Sequence, residues 1–414
     1  MESNGCPYVI DRAGSDILAE AARLRDLGPA VPVELPGGVM AWSITSYALA
    51  RRLFADPRVV KDPRRYWPAF VAGEIGDDWP LISWVKMDSM TLVDGDDHRR
   101  LRGLVAPDFG PRRIEAQRPL VERIVADLLD RLAEHPPDRP VDLRANYAAP
   151  LPAQMICELF GIPEEARPEV LRGLELAVDT TLPPEQAAAN LAHWQVALRD
   201  LVAAKRAAPA DDMTSRLVQA HDRQGLLSES ELVGSLFNVL GAGSETVMNL
   251  LTKAVVTLLT QPGQRELVAA GTASWSDVIE ETLRAEAPIA QLPLRFAAED
   301  IELDGVTIAK GTPILICLAA AGRDPARYGE SAGTFDLTRP DKEHLSFGYG
   351  AHFCVGAALA RLEASVALPA LFERFPELTL AVRPAELEPP GTFIMNGLRA
   401  LPVYLAGPPS GRAN

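Results

Sequence analysis

The sequence predicts one mainly α-helical domain with a minor β region, and three observations lead to this prediction. Hydrophobic residues make up 47% of the 414-residue chain, which is enough for a large buried core. Helical periodicity dominates, and frequent prolines divide it into many helices. The sequence contains no linker-like stretch, so we treat residues 1–414 as a single domain.

Short β-type runs mark the minor β region. Two of them flank Pro36-Gly37-Gly38, a pattern typical of a hairpin. The predicted β segments are residues 31–35 and 39–44, residues 293–297, a hairpin over residues 301–308 that turns at Asp304-Gly305, and residues 313–318.

The longest predicted helix spans residues 228–260. Ser228 and Glu231 form a capping box at its start, and Gln261-Pro262 ends it. Apolar residues cover most of its surface, which indicates a buried helix. At ~1.5 Å per residue it would be about 50 Å long and would cross the whole molecule. Two further helices are predicted at residues 276–287 and 356–374.

Charge and cysteine content exclude several classes of protein. The chain has 41 basic and 56 acidic residues, a net charge of −15, which disfavours non-specific nucleic-acid binding. The N-terminal residues do not resemble a signal peptide, and no apolar run reaches the ~20 residues of a membrane span. We therefore expect a cytoplasmic protein without nucleic-acid or membrane partners. The four cysteines lack the spacing of metal ligands.

The most informative segment surrounds Cys354. It reads Phe347-Gly348-Tyr349-Gly350-Ala351-His352-Phe353-Cys354-Val355-Gly356. Its glycines permit a tight loop, and Cys354 precedes a predicted helix whose positive dipole end favours a thiolate. A lone cysteine is more often a buried structural residue, but the glycine pattern reverses that preference.

This segment resembles the haem-binding loop of the cytochrome P450 family, Phe-Gly-x-Gly-x-x-x-Cys-x-Gly, at every fixed position. The resemblance implies the cytochrome P450 fold, a triangular single domain with a long central helix over the haem. It implies heme b (iron protoporphyrin IX) as cofactor, with Cys354 as the metal ligand and His352 at a propionate. Phe347, Gly348 and Gly356 are implied to contact the cofactor.

A second similarity lies at Glu281-Thr282-Leu283-Arg284. Glu281 and Arg284 share one helical face, and such spacing usually means a surface ion pair. Their position before Cys354 is similar to that of the family's Glu-x-x-Arg pair. The resemblance implies a buried structural network with Arg339 as its third member.

The middle of the long helix carries Ala242-Gly243-Ser244-Glu245-Thr246. A glycine in a helix interior costs about 1 kcal/mol, and a buried acid is also unfavourable. A packing notch for another helix, with Glu245 paired to an arginine, is the simpler interpretation; it suits the glycines but explains the acid and the alcohol together less well.

The same five residues resemble the family's Ala-Gly-x-(Asp/Glu)-Thr motif. The resemblance implies that the helix opens beside the haem, that Ala242 and Gly243 contact the cofactor, and that Glu245 and Thr246 are catalytic, directing dioxygen and protons. Val247 departs from the second Thr or Ser of many relatives.

A basic turn forms the fourth similarity. His98 and Arg102 are four residues apart on one helical face, which is usually a solvated surface. The turn resembles the family's propionate-binding helix, and the resemblance makes His98, Arg102 and the later Arg295 contacts of the haem propionates.

The resemblance also implies an apolar substrate pocket with a few polar points. Its predicted lining residues are Trp84, Val85, Met87, Met90, Leu240, Ile289, Leu292 and Ile394.

The implied function is that of a haem-thiolate monooxygenase, which uses dioxygen to oxidise, and most often hydroxylate, a medium-to-large apolar natural product or steroid-like molecule. Oxidative C–C or C–N coupling of aromatic substrates such as cyclodipeptides in secondary metabolism is the alternative. A haem sensor without turnover would have no need of Glu245 and Thr246.

Electrons are implied to come from a ferredoxin and a ferredoxin reductase. An acidic ferredoxin would dock on a basic patch, for which Arg99, Arg100, Arg112 and Arg113 are candidates. Alternatively, these arginines pair with acids of the same chain.

Overall fold

Helices dominate the computed structural model, which describes residues 6–171, 180–303 and 305–407. The prediction of a mainly α-helical chain with a minor β region is confirmed. The longer helices are Ile17–Leu27, Tyr47–Ala55, Gly95–Val105, Arg118–Ala133, Pro150–Phe160, Pro184–Ala207, Met213–Asp222, Glu229–Thr260, Pro262–Ala269, Trp275–Ala285 and Ala357–Arg374. Shorter helices are Pro63–Tyr66, Pro68–Val71, Ser83–Lys86, Pro111–Glu115, Leu318–Ala321 and Pro325–Tyr328.

Eleven strands of the described residues form three small sheets. They are β1 Tyr8–Val9, β2 Ala30–Leu35, β3 Val39–Ile44, β4 Val59–Val60, β5 Val141–Asp142, β6 Gln291–Ala297, β7 Ile301–Leu303, β8 Val306–Ile308, β9 Pro313–Cys317, β10 Thr379–Leu380 and β11 Pro402–Tyr404. The six-stranded sheet has the order β1-β2-β3-β9-β6-β4, and the others are β10-β11-β5 and β7-β8.

Both predicted hairpins are present. Strands β2 and β3 pair antiparallel from Ala30 opposite Ile44 to Leu35 opposite Val39. Gly37 and Gly38 make the turn with φ of 82° and 76°, a region open to glycine but unfavourable for other residues. Strands β7 and β8 form the second hairpin, although Asp304 of its predicted turn lies outside the described residues.

The helix Glu229–Thr260, called the long helix below, has 32 residues and is the centre of the core. Its N-cap Ser228 and Glu231 form both hydrogen bonds of the predicted capping box. It packs against Pro150–Phe160, Pro184–Ala207, Trp275–Ala285 and Ala357–Arg374. Nearly all of its interior is buried, as its apolar surface predicts.

Several predicted boundaries differ from the structure by one or two residues, and two of these differences lie at the C-terminal ends of elements. The helix expected over residues 276–287 is Trp275–Ala285, because Pro288 disfavours the helical conformation of the residue before it and Glu286 is already non-helical. The strand expected to end at Leu318 ends at Cys317, where a short helix begins. In the described part of the chain, no helix is long and apolar enough to cross a membrane.

We predict that Gly234→Ala lowers the free energy of unfolding by about 1–3 kcal/mol, as overpacking does in other cores. A Cβ atom at this position of the long helix would lie 2.1 Å from the Asp88 carbonyl oxygen, and the backbone cannot move aside cheaply. The matched control is Gly103→Ala, where a Cβ meets nothing within 4 Å. This second change should raise stability by up to about 1 kcal/mol. Denaturant unfolding of both variants checks the pair, and equal effects would contradict the account.

Candidate functional site

The loop around Cys354 is a tight turn that leads into the helix Ala357–Arg374. Gly348 and Gly350 have φ of 71° and 77°, and a Cβ at Gly350 would lie 2.9 Å from the Phe54 carbonyl oxygen. The Cys354 N–H donates to the Phe347 carbonyl at 2.8 Å, which closes the loop. Gly356 is the N-cap of the helix, as the sequence predicts.

Cys354 is exposed, yet protein surrounds it closely enough that desolvation raises the pKa of its thiol. The backbone N–H groups of Gly356 and Ala357 lower the pKa, as a helix N-terminus should, but desolvation outweighs them. A side chain that is both accessible and closely surrounded lies in a concavity. The sulfur therefore faces an open recess, where it could bind a metal.

Buried basic groups without partners lie near this loop. The rings of His98 and His352 are 4.1 Å apart, and His98 Nε2 has no hydrogen-bond partner in the described structure. Arg295 is 4% exposed, its guanidinium lies 4.4 Å from the Phe54 ring centroid, and its Nη1 also has no partner. Buried donors are nearly always satisfied, so these orphan atoms indicate a missing acceptor.

Electrostatics point to the same missing anion. Desolvation lowers the pKa of His98 and that of Arg295 to about 10. Desolvation is also the largest influence on His352, whose pKa falls to about 4 although Asp94 opposes the shift. An accessible thiol beside buried donors that need an acidic partner fits a haem, with a thiolate for iron and cationic groups for two propionates.

Arg102 is placed differently from His98. It belongs to the helix Gly95–Val105, but its Nη2 donates to the Phe353 carbonyl at 2.8 Å. In this structure the side chain therefore holds the backbone of the residue before Cys354. Its contact with a propionate stays a prediction.

The middle of the long helix also faces open space. Ala242 is exposed, whereas every other residue from Leu232 to Leu259 is buried or partly buried. Thr246, one turn later, is partly accessible, and its Oγ1 donates to the Ala242 carbonyl at 2.9 Å. The buried Glu245 precedes it. This face leaves room for a ligand against the helix.

The expectation that the long helix opens at this place is wrong. Helical residues run without interruption from Glu229 to Thr260. Gly243 instead serves as a packing notch, the simpler interpretation, because a Cβ there would lie 2.7 Å from Ile156 Cδ1.

Glu281, Arg284 and Arg339 come together in the interior, in the arrangement that the resemblance implies, and the alternative of a surface pair does not apply to them. The Arg284–Glu281 pair is bidentate at 2.6 and 2.7 Å, and both side chains are 0% exposed. Arg339 Nε lies 3.4 Å from Glu281 Oε1. Arg284 also donates to the carbonyls of Gly322 and Ala332, and thereby anchors the segment that leads to the cysteine loop.

A second set of contacts that holds the cysteine loop was not predicted from the sequence. Glu280 accepts two hydrogen bonds from Arg361 at 2.6 and 2.9 Å and lies 3.1 Å from His344 Nε2. Arg361 stacks 4.6 Å from the Phe347 ring centroid. The three polar residues are distant in sequence, and their separate positions give no signal of the contact.

The predicted pocket residues divide into three groups. Leu240, Val85 and Ile394 have almost no accessible surface, so in this conformation they pack in the core and do not line open space. Trp84, Ile289 and Leu292 are partly accessible. Met87 and Met90 are buried but retain a little accessible surface. Substrate contact by any of these residues stays a prediction.

Three of the four candidate docking arginines pair within the chain. Arg99 contacts Asp96, Arg100 contacts Glu231 at 2.6 Å, and Arg113 lies 3.2 Å from Asp108. Arg112 is exposed and has no salt bridge to the described residues. The intramolecular alternative therefore applies to most of this patch.

Comparison with known proteins gives consistent matches over nearly the whole chain. A family model for Cytochrome P450 matches residues 275–397. The 2-hydroxy-5-methyl-1-naphthoate 7-hydroxylase of Streptomyces carzinostaticus is 49% identical over 402 residues, 97% of this chain and 98% of the relative.

Two solved structures have folds very similar to that of this chain. CYP154A1 from Streptomyces coelicolor is 48% identical with a TM-score of 0.92, covering 96% of this chain and 100% of its own. CYP154C4 from a Streptomyces species, with testosterone bound, is 42% identical with a TM-score of 0.94, covering 98% of this chain and 100% of its own.

We predict that Glu281→Gln lowers the free energy of unfolding by about 3–5 kcal/mol, because it leaves the Arg284 guanidinium buried without its counter-charge. Glu115→Gln is the matched control, since Glu115 and Arg118 have the same spacing but are exposed. That change should have little effect on stability, because solvent screens the exposed pair. Chemical unfolding measures both variants, and a small effect of Glu281→Gln would show that the buried network is dispensable.

We predict that Glu280→Gln removes a pH-dependent part of the stability. Burial raises the pKa of Glu280, but hydrogen bonds from Arg361 and His344 outweigh it and lower the pKa to about 2. A carboxyl with a depressed folded-state pKa stabilises the protein above its unfolded pKa, and this is lost as pH falls from about 5 to about 2.

The wild type should therefore exceed Glu280→Gln by roughly 1–3 kcal/mol at neutral pH, and the two should converge in acid. Unfolding curves at several pH values test this, with Glu388→Gln at an exposed pair as control. A difference that does not change with pH contradicts the assigned hydrogen bonds.

Proposed function

This chain belongs to the cytochrome P450 family, and from that premise we propose that it hydroxylates a medium-to-large apolar natural product or a steroid-like molecule. As a P450 monooxygenase it uses haem, dioxygen and electrons from redox partners. The observation that carries the proposed reaction is the 49% identity, over nearly the full length of both chains, to a hydroxylase of a substituted naphthoate.

Two further observations support this substrate class. A structure 42% identical to this chain holds testosterone, so a fused-ring skeleton is accepted by a closely similar fold. In this chain, the accessible surface at Ala242 and Thr246 and the partly accessible Trp84, Ile289 and Leu292 offer mostly apolar contacts. Apolar walls with few polar points suit such molecules.

Bound haem supplies the oxidising chemistry, and we assign the following roles to this chain's residues. Cys354, which is exposed in the cysteine loop, would hold the iron as a thiolate. His98, Arg295 and His352 would donate to the propionates, which would give the unpartnered His98 Nε2 and Arg295 Nη1 an acceptor. Phe347, Gly348 and Gly356 shape the loop against the cofactor.

Glu245 and Thr246 are proposed to accept and deliver protons at the open face of the long helix. The Thr246 hydroxyl donates its proton to the Ala242 carbonyl, so its oxygen lone pairs are available to accept a hydrogen bond from the open face. Glu245 is buried on the same turn and can exchange a proton with water that enters there.

A ferredoxin with its reductase is the proposed electron source. Docking would use the surface near the cysteine loop, where Arg112 is exposed and Tyr349 packs against Arg51 at 4.9 Å. Because Arg99, Arg100 and Arg113 are engaged by acids of the chain, we expect only modest salt dependence of the electron-transfer rate.

The test is optical titration and turnover with 2-hydroxy-5-methyl-1-naphthoate, testosterone and 6-deoxyerythronolide B. A saturable low-spin to high-spin shift with one class, followed by a product heavier by one oxygen atom, supports the proposal. Label from ¹⁸O₂ must appear in that product. A product lighter by two hydrogens would instead support the alternative, oxidative coupling, and the absence of a shift with all three compounds would overturn the substrate class.

We predict that Thr246→Ala uncouples oxygen consumption from product formation. Loss of the hydroxyl removes the group that hydrogen-bonds and relays a proton on the open face, so product per oxygen consumed should fall roughly tenfold or more. Thr260→Ala is a matched control, because Thr260 makes the same backbone hydrogen bond, to Val256 at 2.8 Å, at the far end of the helix. Coupled oxygen, peroxide and product assays measure the effect, and equal coupling in both variants would contradict the role of Thr246.

A further inference from the structure

Lys61 is a buried lysine that the functional assignment has not used. It follows strand β4, is only 7% exposed, and its Nζ donates to the Leu294 carbonyl at 2.8 Å. This contact uses one of the three donors of an ammonium group. Lysine is almost never fully buried unless it is paired, so the remaining donors need an explanation.

The strand register brings Lys61 close to Arg295. Strands β4 and β6 pair antiparallel, with Val59 opposite Ala297 and Val60 opposite Phe296. The next position in this register sets Lys61 opposite Arg295, and like charges in opposed positions repel. The described structure contains no salt bridge for either cation.

Asp94 is the nearby carboxylate, but its oxygens are directed elsewhere. Its Oδ2 accepts the backbone N–H groups of Lys61 and Asp62 at 2.8 and 3.3 Å. Its Oδ1 lies 3.7 Å from His352 Nε2. The carboxylate therefore orders the backbone and an imidazole and does not neutralise the Lys61 ammonium by direct contact.

The resulting cluster has more basic than acidic side chains. Burial and then Arg295 hold the pKa of Lys61 well below its usual range, so a charge on its ammonium group is poorly compensated here. Two buried basic side chains and two imidazoles thus face one carboxylate. Such an arrangement is costly alone and becomes favourable when an anion with several acceptor oxygens binds.

We propose that Lys61 is a further anchoring residue for the haem propionates, acting beside Arg295 through the free donors of its ammonium group. This inference rests on the proposed haem site and adds a residue to it. The competing interpretation is structural: Lys61 would only satisfy the Leu294 carbonyl, which lies where β6 changes register between Leu292 and Arg295.

Haem release from the purified holoenzyme to excess apomyoglobin separates these interpretations. Lys61→Gln removes the charge but keeps N–H donors in the side chain, and Lys61→Met removes both. We expect both variants to release haem about tenfold faster or more than the wild type, the effect of losing one charge-assisted hydrogen bond. Lys310→Met, at an exposed lysine, should release haem at the wild-type rate.

Haem dimethyl ester supplies the second measurement, because its propionates carry no charge. With this cofactor the wild type and Lys61→Gln should release at equal rates if Lys61 acts on the carboxylates. A wild-type release rate in Lys61→Gln, or a difference that persists with the ester, would overturn the proposal in favour of the structural role. If Lys61→Met does not fold, Lys61→Gln alone decides. Failure of the wild type to bind haem would instead overturn the proposed function.

Discussion

The buried pair between Glu281 and Arg284 holds the part of the molecule on which the cysteine loop rests. Its two side chains have no exposed surface, so each charge depends on the other for compensation in a medium of low polarity. The remaining N–H groups of Arg284 donate to the carbonyls of Gly322, Ala332 and Thr334. The same helix also accepts the Ser346 hydroxyl at the Leu283 carbonyl and holds Arg361 through Glu280. Residues 280–284 of one helix thus fix both sides of the loop.

This support explains how the loop keeps its shape while Cys354 stays accessible. The loop is closed by its own backbone hydrogen bond from Cys354 to Phe347, and Arg102 holds the carbonyl of Phe353. The recess that the thiol faces is also bordered by buried basic groups, although the whole chain has a net charge of −15. Local charge, not net charge, determines which ligand a buried site accepts.

Features that depend on local sequence were predictable. The capping box at Ser228 and Glu231 and the glycine turn at Gly37-Gly38 follow from neighbouring residues, and the motif around Cys354 identified the family. Features that depend on residues distant in sequence were not predictable. Lys61 follows two valines without any pattern that indicates burial beside Arg295, and Glu280 meets Arg361 only because their helices pack. The burial of Leu240 likewise depends on neighbouring helices and not on its position in a motif.

The ferrous carbonyl spectrum measures whether Cys354 binds the haem iron as a thiolate, on which the assignment of the site depends. A thiolate ligand donates electron density to the iron and shifts the Soret band of the carbonyl complex strongly to the red. We expect this shifted band for the wild type and its loss in Cys354→Ala, whose circular dichroism spectrum should show that the fold is retained. A wild-type carbonyl complex without the shifted band, or a Cys354→Ala variant that keeps it, would show that Cys354 is not the thiolate ligand.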